Sequence, residues 1–195
     1  MKNILGFLFI SFGVMVALKE EYHCKNYSEI FSKMTSSEGS HKSDISVRNQ
    51  VIYISGLGDF NQSDLETASK EITDVFGFKC EIIDPIKTTS KLYVTNTNRL
   101  DENKCMTSLN PKNKTVYVTN ESLSVKYRRG SAKKNGKFII VTNADNNVKK
   151  TVLHELGHTL GMNHCNNNKC VMATRNYDLC NGKFCNNCKI KLKLK

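Results

Sequence analysis

The segment HELGHTLGMNH, residues 154–164, determines the interpretation of this chain. His154 and His158 are four residues apart, so a helix places both imidazoles on one face, within reach of one metal ion. Glu155 lies one residue further round the helix. At that position a carboxylate can contact a metal-bound water without occupying a ligand position.

The end of the same segment supplies a third imidazole. Gly161 tolerates the left-handed conformation that ends a helix, so the chain can turn back and bring His164 to the same ion. Three neutral imidazoles leave a fourth coordination position open, which is typical of a catalytic zinc site. Three of the five histidines of the chain fall within these eleven residues.

A second group of possible metal ligands follows immediately. Cys165 and Cys170 are separated by four residues, and Cys185 and Cys188 by two. This spacing favours a closed structural zinc site with four thiolates, which holds in shape a segment too poor in apolar residues for its own core. Disulfides, or free thiols, are the alternatives. Cys180 is a spare cysteine or a competing ligand.

Hydrophobic patterning predicts the elements around these ligands. Short apolar runs predict strands, and a capping-box pattern at Ser63 and Glu66 opens a helix that stops at Gly77. A strand, a helix and a strand in this order indicate a right-handed crossover and a parallel pair. Lysine alternates with Ile or Leu in residues 189–195, which favours an edge strand or a frayed end. The predicted strands are 51–54, 80–83, 115–118 and 138–141, and the helix carrying the histidines starts near residue 146 and ends at 161.

Length and charge limit the possible classes of protein. The chain has 195 residues, which fits one domain with a small appendage and excludes two full-sized enzyme domains. The net charge is +11, from 29 basic and 18 acidic residues, yet the lysines are spread along the chain and aromatic residues make up only 8%. We therefore interpret the charge as a solvated basic surface and do not expect a nucleic-acid partner.

The N-terminus has a different composition. Lys2 precedes an apolar run over residues 4–18, which is too short to span a bilayer but suits a secretion signal or an anchor. The alternative is a buried N-terminal helix. We predict a signal peptide or anchor over 1–23, a linker-like segment over 24–48 and the main domain over 49–195, with a Cys-rich part at 165–190. A secreted, periplasmic or membrane-anchored location is expected over a cytoplasmic one.

The histidine segment, followed at once by Cys165 and then by Cys170-Val171-Met172 and a closing Cys-x-x-Cys, resembles the archaemetzincin family of zinc metallopeptidases. The resemblance covers about residues 51–190. It implies a metzincin-like α/β fold, with a twisted mixed sheet, a backing helix, an active-site helix and a Cys-rich C-terminal subdomain. It also implies two Zn²⁺ ions per chain. A catalytic zinc would bind to His154, His158 and His164, with Glu155 as the base, and Met172 would lie in a Met-turn. A structural zinc would bind to Cys165, Cys170, Cys185 and Cys188.

The resemblance implies hydrolysis of peptide bonds, with an aminopeptidase-like preference, on a peptide or protein substrate. We expect a monomer that contacts membranes only through an uncleaved N-terminus, and an extended substrate pairing with a sheet edge within residues 124–131. The segment between Met172 and Cys185 is shorter than the family's spacing, so a pseudo-peptidase remains open. A non-enzymatic zinc module with a basic surface is the other alternative, although such a site has no use for Glu155.

Overall fold

Five strands and four α-helices make up the part of the chain that the structure, a computed structural model, describes: residues 50–143, 146–173 and 180–194. The strands are β1 (Val51–Gly56), β2 (Lys79–Ile82), β3 (Thr115–Thr119), β4 (Gly130–Ala132) and β5 (Phe138–Thr142). The helices are α1 (Gln62–Phe76), α2 (Glu102–Leu109), α3 (Val148–Thr159) and α4 (Asn186–Leu192), and a 3₁₀ turn spans Ser90–Leu92.

The strands form one mixed sheet in the order β2-β1-β3-β5-β4. The first four strands in this order are parallel, whereas β4 runs antiparallel to β5 and lies at the edge. The predicted parallel pairing of the first two strands is therefore confirmed, and so is the predicted α/β fold class with a mixed sheet. The edge strand begins at Gly130, so only the end of the predicted substrate-pairing segment 124–131 belongs to it.

One face of the sheet carries the helix that contains the histidine segment. Alternate residues of the central strands, such as Ile52 and Val116, point to this face and pack against α1 and α3 with no exposed surface. In α3, Val148, Val152 and Leu156 are buried together, as their spacing predicts. This packing fixes α3 against the sheet, so its opposite side is the one available to a ligand.

The other face of the sheet is covered by the segment between β2 and β3. Tyr117, Phe138 and Ile140 point to this side and pack against Leu92, Leu100 and other buried side chains. Leu92 ends the 3₁₀ turn, and Tyr93 forms an isolated bridge to Leu100. The sheet is thus buried on both faces, as expected for strands that are mostly parallel.

Helix α1 begins one residue before the predicted cap. Asn61 is the N-cap residue, and no side-chain hydrogen bond caps the helix, so the capping-box prediction at Ser63 is wrong. The Asn61 side chain instead donates to Asp64 and to Asn120, which links the helix start to the end of β3. The stop at Gly77 is confirmed, since this residue has φ +71° and its N–H bonds the carbonyl of Thr73.

The end of the chain is helical where the alternation of Lys with Ile and Leu favoured a strand. Helix α4 spans Asn186–Leu192, with Cys185 as its N-cap and Cys188 buried. Within the described ranges, no helix combines the length and the apolar character needed to cross a membrane. The predicted signal or anchor at 1–23 and the linker at 24–48 lie outside the described residues and stay predictions.

Candidate metal centre

The three histidines of the segment converge at the end of α3. The ring centroids lie 4.7 Å apart for His154 and His158, 4.8 Å for His158 and His164, and 5.4 Å for His154 and His164. Gly161 has φ +90°, which lets the chain turn after the helix and return His164 to the other two rings. The structure therefore brings together the three residues that the sequence predicts as ligands of one ion.

Backbone carbonyls orient two of the imidazoles. Nδ1 of His154 lies 2.7 Å from the carbonyl oxygen of Val171, and Nδ1 of His158 lies 2.9 Å from that of Met162. A carbonyl can only accept a hydrogen bond, so Nδ1 carries the proton in both rings. Nε2 of each ring is then left with its lone pair, which is the form that binds a metal.

The distances between the ligand atoms fit a zinc ion. Nε2 of His154 and Nε2 of His158 are 3.1 Å apart. Two nitrogens bound to a tetrahedral zinc at 2.0–2.1 Å would be separated by about 3.3 Å. The metal-ligating atoms of all three histidines lie within 4.8 Å of one another. Three nitrogen donors at these separations suit Zn²⁺ and leave room for a fourth, non-protein ligand.

Desolvation favours the neutral form of two of these rings, His154 and His164. Desolvation lowers the pKa of His154 to about 4, with the neighbouring histidines adding a smaller effect in the same direction. Desolvation and the nearby His158 also lower the pKa of His164. Neutral imidazoles are the metal-binding form, so the site is ready to bind a cation at neutral pH.

Glu155 lies beside the histidines, between the helix and the edge strand. It is only 8% exposed, and burial raises the pKa of its carboxyl to about 8, against a smaller opposing effect of Arg128. A Cβ atom placed on Gly130 would lie 2.8 Å from Cγ of Glu155 and 2.8 Å from Cγ2 of Thr151. Only a glycine at the start of β4 therefore leaves space for the Glu155 side chain in this position.

A cavity of about 420 Å³ opens over this group. Its lining includes the three histidines, Glu155, residues 127–132 and Ala173. A larger cavity of about 600 Å³ lies beyond His164, lined mainly by asparagines and the Cys-rich segment. Of these two cavities, only the smaller one is lined by Glu155. It therefore combines the three candidate histidine ligands and the Glu155 carboxylate with a space that a substrate can enter.

The four predicted thiolates also meet at one point. The Sγ atoms of Cys165, Cys170, Cys185 and Cys188 all lie within 4.8 Å of one another. Sγ of Cys165 and Sγ of Cys185 are 3.7 Å apart, close to the roughly 3.8 Å expected for two sulfurs on a tetrahedral zinc with Zn–S bonds of about 2.3 Å. A disulfide requires about 2.05 Å, so the geometry favours the metal site over disulfides.

Backbone N–H groups support these sulfurs. The N–H of Asn167 points at Sγ of Cys165 at 3.4 Å, and the N–H of Cys185 points at Sγ of Cys170 at 3.4 Å. Such bonds stabilise thiolates and orient them toward a metal. Cys180 is buried and lies outside the group of four.

Met172 lies directly beneath the histidine helix. It has no exposed surface, and a Cβ on Gly157 would lie 2.5 Å from its sulfur. Gly157 is the residue of α3 just before His158, so its lack of a side chain lets Met172 pack against the helix between the ligands. The carbonyl of Met172 accepts from the N–H of Cys165 at 2.8 Å, which ties this turn to the Cys-rich segment.

Sequence reasoning missed the residues that act on the site through contacts distant in sequence. Gly130 borders Glu155 although 25 positions separate them, and Glu102 contacts Arg128 at the edge of the cavity. Lys114 is buried and its Nζ donates to the carbonyl of Thr159 at 2.9 Å, satisfying a carbonyl at the end of α3. No local pattern signals these residues, although Arg128 lies within the predicted substrate-pairing segment 124–131.

Comparison with known proteins identifies relatives for the C-terminal quarter of the chain. Residues 143–194 match the model of Peptidase family M54. The archaemetzincin of Aeropyrum pernix is 50% identical over 50 residues, which are 24% of this chain and 27% of that protein. The archaemetzincin of Halobacterium salinarum is 46% identical over 48 residues, 23% of this chain and 28% of that protein. The chain thus matches little more than a quarter of the length of these curated relatives.

Solved structures extend the likeness to about three quarters of the chain. The archaemetzincin of Archaeoglobus fulgidus, solved with malonate, superposes with a TM-score of 0.63 at 24% identity, covering 73% of this chain and 99% of that one. The archaemetzincin of Methanopyrus kandleri gives a TM-score of 0.63 at 19% identity, covering 75% and 94%. The chain therefore has the fold of these two archaemetzincin structures. The predicted resemblance to the archaemetzincin family is confirmed.

Proposed function

We propose that this protein is a zinc-dependent peptidase that hydrolyses peptide bonds. The observation that carries the proposal is the convergence of three imidazoles, two of them held in the metal-binding tautomer, beside the buried carboxylate of Glu155 in an open cavity. The match of residues 143–194 to Peptidase family M54 supports the same function.

His154 and His158 would hold the catalytic zinc through their Nε2 atoms, together with His164. When bound, zinc acts as a Lewis acid on the peptide carbonyl and lowers the pKa of a coordinated water to near 7. The carbonyls of Val171 and Met162 keep two of the rings in orientation throughout.

Glu155 would transfer a proton from the attacking water to the leaving group. Its carboxylate accepts a proton from the attacking water and then donates it to the nitrogen of the leaving amine. The buried position beside Gly130 and Thr151 holds the side chain in one place. Because the reacting groups must be aligned to within about 1 Å, this packing supports the alignment that proton transfer needs.

Strand β4 offers a place for an extended substrate. It is the last strand of the sheet order, and residues 130–132 also line the cavity of Glu155. The backbone groups on the outer side of an edge strand can pair with a peptide, which would place its carbonyl over the histidines.

A second zinc, on the four cysteines, would have a structural role. Four thiolates fill a tetrahedral shell and leave no position for a substrate. In this proposal the chain carries two zinc ions, and the second one stabilises the segment that supplies the Val171 carbonyl and Met172. Two ions per chain, with different roles, is the stoichiometry that the donor groups support.

The location of the protein stays part of the proposal. The apolar run at residues 4–18 supports secretion or anchoring by the N-terminus. Mass spectrometry of the N-terminal peptide from the native host tests this: a start beyond residue 18 is expected for a cleaved signal, whereas an intact Met1 in a soluble extract would contradict both secretion and anchoring.

Replacing the proposed base tests the function. Glu155→Gln keeps the size of the side chain but removes the proton acceptor, so we expect peptide hydrolysis to fall by well over about a hundredfold. The assay uses zinc-loaded protein and a mixture of fluorogenic peptides, with zinc content measured by mass spectrometry. Glu66→Gln, on the exposed side of α1, is the matched control and should keep full activity.

Retained hydrolysis in Glu155→Gln with unchanged zinc content would remove Glu155 from this role. A hydroxamate binding assay separates a peptidase from a module with only structural zinc. An open zinc should bind the chelating inhibitor with micromolar or tighter affinity, whereas a closed one should not bind it. Cys165 lies in the thiol group and not with the histidines, so no described cysteine closes the histidine site.

A further inference from the structure

A loop carrying two arginines borders the cavity that contains Glu155. Residues 127–129, Tyr-Arg-Arg, line this cavity together with His154 and His158. The loop turns at Tyr127, which has φ +63° and is 83% exposed, and the N–H of Arg128 closes the turn onto the carbonyl of Val125 at 3.1 Å. This turn brings Arg128 to the wall of the cavity.

The position of Arg128 is fixed by a buried carboxylate. Nη1 of Arg128 lies 3.4 Å from Oε1 of Glu102, and Glu102 is only 4% exposed. The other oxygen of Glu102 accepts hydrogen bonds from the N–H and the hydroxyl of Ser124, the former at 3.3 Å. A carboxylate buried this deeply needs a cation, so the pair restricts the guanidinium to one place.

The same guanidinium retains donors for a ligand. It carries five N–H groups in a planar fork, and the contact to Glu102 involves the Nη1 end. The Arg128 side chain remains 44% exposed on the side of the cavity. A second carboxylate can therefore bind to it in the geometry for which a guanidinium is suited.

The charges of the cavity favour an anion. Arg128 and Arg129 are its basic lining residues, and Glu155 is its acidic one. Glu102 sits behind Arg128, outside the lining. A zinc ion on the histidines adds further positive charge. An anionic group that enters the cavity therefore meets a positive surface with an arginine already in position.

We propose that Arg128 is a specificity-determining residue that binds a carboxylate of the peptide substrate close to the scissile bond. This inference rests on the proposed peptidase function and names its substrate class. The carboxylate comes either from an acidic side chain or from a free C-terminus near the cleaved bond, and the experiment distinguishes the two.

The first test uses zinc-loaded wild-type protein and a matched series of quenched peptides that carry Glu, Gln or Lys next to the cleaved bond. Each is made with an amidated and with a free C-terminus. We expect kcat/KM about tenfold or more higher for Glu than for Gln, mostly through KM, with Lys the poorest. A preference confined to short peptides with a free C-terminus would assign the carboxylate to the chain end.

Variants of the pair test the residue itself. Arg128→Gln alone leaves the buried Glu102 carboxylate without its cation, which destabilises the fold. The double variant E102Q/R128Q, which removes both charges, is therefore tested in parallel. Both should cleave Gln and Glu peptides equally while still hydrolysing the Gln peptide. Arg128→Lys should keep part of the preference because the charge remains without the planar fork. Arg99→Gln, which lies away from the cavity lining, is the matched control and should keep the full preference.

Binding to the inactive Glu155→Gln protein gives a readout independent of turnover. We expect the Glu peptide to bind about tenfold more tightly than the Gln peptide, and E102Q/R128Q added to this background should remove the difference. Equal binding and equal cleavage of Glu and Gln peptides by protein with intact Arg128 would overturn the inference and leave the peptidase function standing. Selective binding without hydrolysis by the wild type would overturn the function and leave the carboxylate site standing.

Discussion

The chain contains two groups of candidate metal ligands that are adjacent in sequence and differ in the number of donor atoms. The histidine group has three donors, with His164 exposed and a cavity above it. The cysteine group has four donors, with Cys170 and Cys188 buried and the other two half-buried. Three donors leave a position for a reactant, whereas four fill the shell. The difference separates a site for chemistry from a site for stability.

The two groups also depend on each other. His164 is followed directly by Cys165, whose N–H bonds the carbonyl of Met172 at 2.8 Å. The segment between the cysteines supplies the carbonyl of Val171 that orients His154. A metal on the cysteines would therefore stabilise the backbone that positions the histidines, although it never contacts a substrate.

The largest effect should follow from removing a ligand of the closed site. Cys188→Ser takes one thiolate from a group on which a core-poor segment depends, so we expect the loss of one zinc and about 4 kcal/mol or more of unfolding free energy. Thermal unfolding and zinc analysis measure both. Activity should fall with them, because the orientation of His154 depends on the same segment.

Cys180→Ser is the matched control for that variant. Cys180 is buried in the same segment but lies outside the group of four. Both zinc ions should be retained. If Cys180→Ser lost a zinc while Cys188→Ser kept it, the four ligands of the closed site would include Cys180 in place of Cys188.

The second-largest effect is expected on the catalytic rate and concerns the histidine group, where Glu155 lies against Gly130. Gly130→Ala places a methyl group 2.8 Å from Cγ of Glu155, so the carboxylate must move away from the cavity. A displacement of about 1 Å costs roughly a hundredfold in rate when alignment matters, and we expect kcat to fall by tenfold to about a hundredfold. Zinc content and the unfolding temperature should change little. Lys133→Ala, exposed just after β4, is the control. Unchanged kcat in Gly130→Ala would show that Glu155 need not lie against the edge strand.

The smallest effect concerns a cysteine outside both groups. Cys105 has no exposed surface, and burial, followed by the nearby acidic residues, raises the pKa of its thiol to about 11. Between pH 9 and pH 11 the folded chain keeps a proton that the unfolded chain loses, so this group lowers stability as pH rises through that range. At pH 9, alkylation of Cys105 by iodoacetamide should be at least about a hundredfold slower than in the unfolded chain. Equal rates would contradict the buried thiol.

Four of the five strands, α1, α3 and the two groups of candidate ligands were predictable from the sequence because they depend on local spacing. Four-residue spacing on a helix, an apolar run in a strand and a glycine after a helix each act within a few residues. The segments 51–56, 115–119 and 138–142 form strands close to the predicted bounds.

The remaining features depend on contacts between distant residues. Residues 189–195 alternate like a strand, yet residues 189–192 continue a helix in which Cys185 is the N-cap and Cys188 lies in the first turn, with both sulfurs in the cluster. The anchoring of Arg128 by Glu102 joins α2 to a loop 26 positions later. Such pairs leave no periodic signal in the sequence, so only the three-dimensional structure reveals them.

The most direct test of the central claim is the number of zinc ions bound per chain in wild-type protein and in His158→Ala, measured by native mass spectrometry. Two zinc ions in the wild type and one in His158→Ala, with the fold retained, are expected if the histidines hold an ion of their own. One zinc in both proteins would contradict the account, because the histidines would then bind no metal and the cavity would contain no catalytic centre.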